Sequence, residues 1–115
     1  MNSDYYQNEA MLRDTMKTVF PDMKAVYDFR AKWLWHDKIT VYYPQAKVGV
    51  EFSVDGHDAS LSRKWVACKE HGIALFVLLA VDIEQARFDP LKRMINSRMK
   101  SKPKPKATNT KKPRR

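Results

Sequence analysis

YYPQAKVGVEFSVDG, residues 42 to 56, alternates from Ala46 to Val54, with Val48, Val50, Phe52 and Val54 on one face and Lys47, Gly49, Glu51 and Ser53 on the other. Period two is the signature of a β-strand, so this segment is read as a strand entered through Pro44-Gln45 and left through Asp55-Gly56. Upstream, residues 26 to 35 (VYDFRAKWLW) and 39 to 43 (ITVYY) are rich in aromatic and β-branched residues. With His36, Asp37 and Lys38 as a tight turn they read as a hairpin. Further out, Asp4 and Gln7 resemble a capping box, and Tyr5, Leu12, Met16 and Val19 repeat at helical spacing up to Pro21, predicting a helix over 4–20.

Downstream, His57 to His71 carries Leu61, Trp65 and Cys68 on one helical face before Gly72, a natural C-terminal stop. Ile73 to Ala80 (IALFVLLA) is almost continuously apolar, as expected of a central strand covered on both faces and reached by a crossover. Asp89 and Pro90 look like the N-cap and first position of a last helix, with Leu91, Met94 and Ile95 inward and Arg93, Arg98 and Lys100 towards solvent.

Charge divides the chain into two parts. The net charge is +9 at pH 7, yet every Asp and Glu precedes residue 100 and eight of the 22 Lys and Arg lie within 100–115. The expected organisation is therefore one α/β domain over residues 1–99 and a basic tail over 100–115. From Ser101 (SKPKPKATNTKKPRR) the tail has no aromatic or large aliphatic side chain. It cannot bury enough surface to offset the entropy of ordering, and is expected to be disordered. Lys100, Lys102, Lys104, Lys106, Lys111, Lys112, Arg114 and Arg115 suit the phosphates of a nucleic acid, because each contact releases condensed counterions. DNA is the partner this favours, with RNA second. A solubilising tail is the plainer explanation of the same charges.

One cysteine, Cys68, excludes an intramolecular disulfide and fits a reducing, cytoplasmic setting. The longest apolar run, Ile73 to Val81, is too short to span a bilayer, so no membrane partner is expected. Cys68, His36, His57 and His71 lack zinc-ligand spacing, and the three glycines form no phosphate-binding loop. Trp33, Trp35, Tyr27, Tyr42 and Tyr43 are dense enough for a base-stacking platform, although core and sheet packing explains them more simply.

The order helix, hairpin, strand, helix, strand, helix, with YYPQAKVGVEFSVDG at its centre, resembles the PD-(D/E)XK (restriction-endonuclease-like) nuclease superfamily and its αβββαβ core. Within it the similarity is to Vsr-like mismatch endonucleases and phage-type Holliday-junction resolvases, and it covers about residues 5 to 82. Tyr42, Tyr43, Pro44 and Glu51 match the aromatic-Pro segment and the strand glutamate. The resemblance implies a mixed sheet with a C-terminal helix beyond it, and Mg²⁺-dependent cleavage of structured, mismatched or duplex DNA. A resolvase would also need a symmetric homodimer to cut two strands.

By position the family's acids fall on Glu9, Asp37 and Glu51, with Asp37 and Glu51 as the metal ligands, and His57 and Lys64 join the catalytic set as substitutes for groups that the family has and this chain lacks. Carboxylates suit that role because a hard divalent cation takes oxygen ligands and keeps waters that it can activate. Glu9 interrupts the apolar stripe of its helix, which a site role would explain. The third position of the family's Glu-x-Lys holds Ser53, so the cation would come from Lys64 or Lys69 on the following helix. Asp28, Asp37 and Thr40 all compete for the hairpin acid. The alternative is a non-catalytic nucleic-acid-binding or interaction protein that keeps the fold with a degenerate site.

Overall fold

Helix α1 spans Asn2–Val19, β1 Val26–Phe29, a 3₁₀ turn Lys32–Leu34, β2 Ile39–Tyr43, β3 Val48–Ser53, α2 Ala59–Glu70, β4 Ala74–Leu79, α3 Ala80–Glu84 and α4 Asp89–Lys100. The computed structural model describes the backbone of residues 2–56 and 58–100, and the side chains of that range from Asn8 onward. His57 and tail residues 101–115 lie outside the described residues. The fold is mixed α/β around one four-stranded sheet of order β1-β2-β3-β4. The first three strands form an antiparallel meander and β4 runs parallel to β3. A parallel neighbour requires a crossover, and α2 provides it.

The hydrophobic pattern dictates two cores, one on each face of the sheet. On one face Leu12 and Met16 of α1 and Leu91 and Ile95 of α4 pack against Val41, Tyr43, Val48, Val50 and Leu78. On the other, Cys68 of α2 and Leu34 of the 3₁₀ turn pack with Ile39, Tyr42, Ile73 and Leu75. Strand β2 is therefore buried at all five positions. Each fully buried Leu or Met contributes about 2–3 kcal/mol of transfer free energy, so the paired layers hold the sheet rigid beneath the site. Gly49 keeps the second core close, since a Cβ there would stand 2.8 Å from the Ile39 Cγ2.

Four expectations need correction. The hairpin is not continuous to residue 35: β1 stops at Phe29, which pairs with Ile39, and residues 30–38 form a longer connection containing the 3₁₀ turn. Burying Leu34 in the second core diverts the chain there. Helix α2 buries Leu61, Lys64 and Cys68, leaving Trp65 44% exposed with the Lys69 ammonium over its ring. Spacings of i, i+3, i+7 and i, i+4, i+7 are equally helical, and an ion pair described below selects the first. Strand β4 is an edge strand rather than a central one; its apolar run reflects cover on both faces, with Leu75 and Leu78 in opposite cores. Arg98 is not free in solvent, because its Nε and Nη2 donate to the carbonyls of Ala46 and Gly72 and pin α4 across two turns.

Among the described residues, no helix is long and apolar enough to cross a membrane.

Candidate active site

The pairing of β2 with β3 runs Tyr43↔Val48, Tyr42↔Gly49 and Val41↔Val50. In that register the next pair would be Thr40 and Glu51. There the side chain takes over from the ladder: Thr40 N–H donates to Glu51 Oε2 at 2.8 Å, and the Thr40 hydroxyl donates to Oε1 at 2.8 Å. Both residues are buried. The carboxylate thus occupies the place where the two strands part, and both of its oxygens are fixed by one residue of the neighbouring strand.

A buried carboxylate demands a counter-charge. Lys64 of α2 supplies it, its Nζ lying 2.8 Å from Glu51 Oε2 and 3.0 Å from Asp37 Oδ1. Asp37 also accepts the backbone N–H of Lys38 at 2.7 Å, which orients its carboxyl. Two carboxylates from separate elements therefore converge on one positive charge.

Around this point lies a cavity of about 350 Å³, walled by α1 from one face of the sheet and by α2 from the other. It sits at the carboxyl end of β3, beside the parallel pair, where ligand sites of open α/β sheets commonly form. Among the described lining residues, Glu9, Asp37, Glu51, Asp55 and Asp58 oppose the single ammonium of Lys64. Asp58 also caps α2, and the hydrogen bond from the Ser60 hydroxyl holds its carboxyl below the usual range. Ser53, two residues after Glu51, is buried and accepts the Gly56 N–H at 2.9 Å, closing the turn.

Glu9 lines the same cavity but belongs to a second network. Lys38 Nζ lies 2.9 Å from Glu9 Oε2 and 2.7 Å from Asp28 Oδ1, with Arg13 more distant from both acids. The Lys38 hydrogen bond draws Asp28 below its ordinary value. Burial alone would lower Lys38, but its hydrogen bonds to Asp28 and Glu9 outweigh that and raise it.

Of the three candidates for the hairpin acid, Asp37 stands with Glu51 in the cavity, Thr40 acts as the clamp on Glu51, and Asp28 is not among the cavity-lining residues. Lys69 lies over Trp65, away from the acids. Cys68 is fully buried, and burial pushes its thiol up to about 11, as befits a packed and unreactive side chain. His57 and the tail cations beyond Lys100 lie outside the described residues, while Lys100 ends α4.

Sequence reasoning did not anticipate Lys38 as the partner of Glu9, nor Asp55 and Asp58 in the lining. The Asp58-x-Ser60 pattern before an apolar helical face was the available signal for the cap.

Among the described residues no three His, Cys, Asp or Glu side chains come together as a ready metal site. The donor set that does converge, Asp37 and Glu51, suits Mg²⁺ nonetheless. Such an ion is typically held by one or two carboxylates, with waters and substrate phosphate completing its shell. The Lys64 ammonium occupies the point between those two carboxylates, so a metal ion held by both would require it to swing aside. No family model, curated protein or solved structure matches this chain.

Proposed function

We propose that this chain is a DNA-binding protein with a restriction-endonuclease-like fold that hydrolyses phosphodiesters at the Asp37–Glu51–Lys64 cavity with the help of Mg²⁺. The observation that carries the reading is the convergence of Asp37 and Glu51 on the Lys64 ammonium, inside a cavity whose described titratable lining is otherwise acidic. A phosphate is repelled by such a wall unless cations intervene, so an acidic cavity in a chain of net charge +9 suits a bound metal better than bare anion binding.

Asp37 and Glu51 would hold the ion, which when bound supplies a polarised phosphate and an acidified water. Thr40 keeps Glu51 in one rotamer through two hydrogen bonds. Lys64 carries the positive charge that would balance the phosphorane-like oxygens, standing in for the lysine that Ser53 replaces on the strand. Glu9, held by Lys38, shapes the α1 wall of the cavity. The tail from Lys100 to Arg115 would hold the duplex through phosphate contacts and speed encounter.

A second reading, a non-catalytic nucleic-acid-binding protein, draws on one observation. Glu51 Oε2 already accepts from both Thr40 and Lys64, the closed ion pair of a structural site.

Supercoiled, mismatched and branched DNA incubated in Mg²⁺ or Mn²⁺ with the wild type and Glu51→Gln separates the two. Cleavage that is lost in the variant supports hydrolysis; binding without cleavage in either metal supports the second reading. Deleting residues 101–115 should weaken binding and flatten its salt dependence, and unchanged affinity would remove the tail from the DNA-binding role.

A further inference from the structure

Trp35 stands in a backbone conformation that its side chain does not favour. Its φ and ψ are 63° and −116°, and the N–H of Asp37 donates to the carbonyl of Leu34 at 2.9 Å. Residues 34–37 thus form a turn whose first central position has type II′ geometry, where glycine is the usual occupant. A bulky residue there is strained, and such strain tends to be kept where it serves a site. Trp35 is also 86% exposed, whereas its neighbour Leu34 is buried and Trp33 stacks on His71 with ring centroids 4.1 Å apart. The indole therefore gains nothing from the core for the strain it imposes.

Its position supplies the reason. Trp35 lines an open groove of about 560 Å³ together with Arg63, and that groove shares Asp37, Ser60 and Lys64 with the carboxylate cavity. The same turn that projects the indole is closed by the N–H of Asp37. An exposed aromatic face, a guanidinium and continuity with a phosphate-cleaving cavity together match one occupant, a nucleobase released from its stack, with its phosphate directed towards Asp37 and Lys64.

We propose that the Trp35–Arg63 groove is a base-stacking subsite for an unpaired nucleotide, so that the preferred substrate has single-stranded character beside the bond to be cut rather than intact duplex. This rests on the nucleic-acid reading above. Stacking on an aromatic side chain is tolerant of base identity, so the subsite selects for an unpaired base and not for sequence.

The test is binding of a short 5′-labelled single strand and of its blunt duplex, by fluorescence anisotropy in Ca²⁺, to the wild type, Trp35→Phe and Trp35→Gly. Trp35→Gly should lose about five- to 150-fold in single-strand affinity, the value of one stacked base. Its duplex affinity should stay unchanged, and Trp35→Phe should keep most of the single-strand affinity. Relief of the turn should raise the Tm of Trp35→Gly by about 5 °C, so a loss of binding cannot be ascribed to unfolding. Unchanged single-strand affinity, or an equal loss on both probes, overturns the proposal. Trp35-dependent single-strand binding without cleavage in Mg²⁺ or Mn²⁺ upholds this subsite while defeating the hydrolytic reading. Cleavage of single-stranded and duplex probes that is indifferent to Trp35 does the reverse.

Discussion

Replacing Lys64 by methionine removes one charge while filling nearly the same volume, and the structure fixes what this should cost. The Lys64 and Glu51 side chains are 7% and 8% exposed and 2.8 Å apart, so deleting the cation leaves a buried carboxylate held only by Thr40. Breaking a buried pair from one side typically costs about 3–5 kcal/mol. The Asp37 arm is 43% exposed and screened by water, and adds no more than about 1 kcal/mol. Lys64→Met should therefore lose about 3–4 kcal/mol in urea unfolding, equivalent to a fall in Tm of about 12 °C or more for a domain of this size. The double variant Lys64→Met/Glu51→Gln should recover about 2 kcal/mol of that loss, because neither charge is then orphaned and Gln can still accept from Thr40. Ca²⁺ should stabilise Lys64→Met more than the wild type, since the ion restores the missing charge and binds only the folded state. A loss below about 1 kcal/mol for Lys64→Met, or strictly additive effects in the double variant, would refute the view that this pair is a buried, coupled unit.

Thr40→Val, which keeps the shape but deletes the hydroxyl bond to Glu51 Oε1, should cost about 1.5–3 kcal/mol in the same urea titration, whereas Thr40→Ser should cost less than half of that. Asp28 has a folded pKa below its unfolded value, so its stabilisation is present above the ordinary carboxylate range and lost as the pH falls through the folded value. The stability gap between wild type and Asp28→Asn should accordingly close in acid and be full at neutral pH, and a gap independent of pH would contradict the Lys38 pairing. Cys68, fully buried and with its thiol pushed up to about 11, should resist iodoacetamide at pH 8 in the native protein and react readily once unfolded in urea.

Much of the architecture was readable in the chain because local periodicity and global packing agree. Val48, Val50 and Phe52 mark β3 by alternation, Leu91 and Ile95 mark α4 by helical spacing, and the continuous run 74–79 marks a parallel strand covered on both faces. Periodicity fails where a tertiary contact decides between equal local options. Nothing in VYDFRAKWLW says that the strand must end at Phe29, because the burial of Leu34 depends on Cys68, Ile73 and Leu75, roughly 35 to 40 residues away in sequence. Glu9 and Glu51 were visible as acids in unexpected places, on an apolar stripe and on a strand. Lys38 was not, since a lysine in an apparent turn carries no sign that it will bridge Glu9 and Asp28. Asp37 and Thr40 could not be separated from sequence because both lie where the chain enters β2, and what distinguishes them is a contact with distant residues: Asp37 meets Lys64, whereas Thr40 holds Glu51.

The lysine's place on the helix has a structural consequence. In β3, residue 53 lies on the same face as Glu51, but Ser53 is committed to the Gly56 turn. The cation is instead projected from α2, where Leu61 and Cys68 flank it at i−3 and i+4 and are themselves buried. Apolar spacing alone would accept a rotation of α2 by roughly 35°, about a third of the angle between successive residues, that kept Leu61 and Cys68 inward and buried Trp65 in place of Lys64. That rotation would expose the ammonium and strand Glu51 without a counter-ion in a buried site, at a cost larger than the gain from covering one indole. The ion pair thus sets the rotational phase of the crossover helix. The phase in turn aligns Lys64, Arg63 and Ser60 with Asp37 along one continuous line from the Trp35 groove to the carboxylates. Lys64→Met should therefore do more than remove a charge: freed of the constraint, α2 can bury Trp65. A blue shift of tryptophan emission in that variant, absent from Lys64→Arg, is the expected trace of the helix turning.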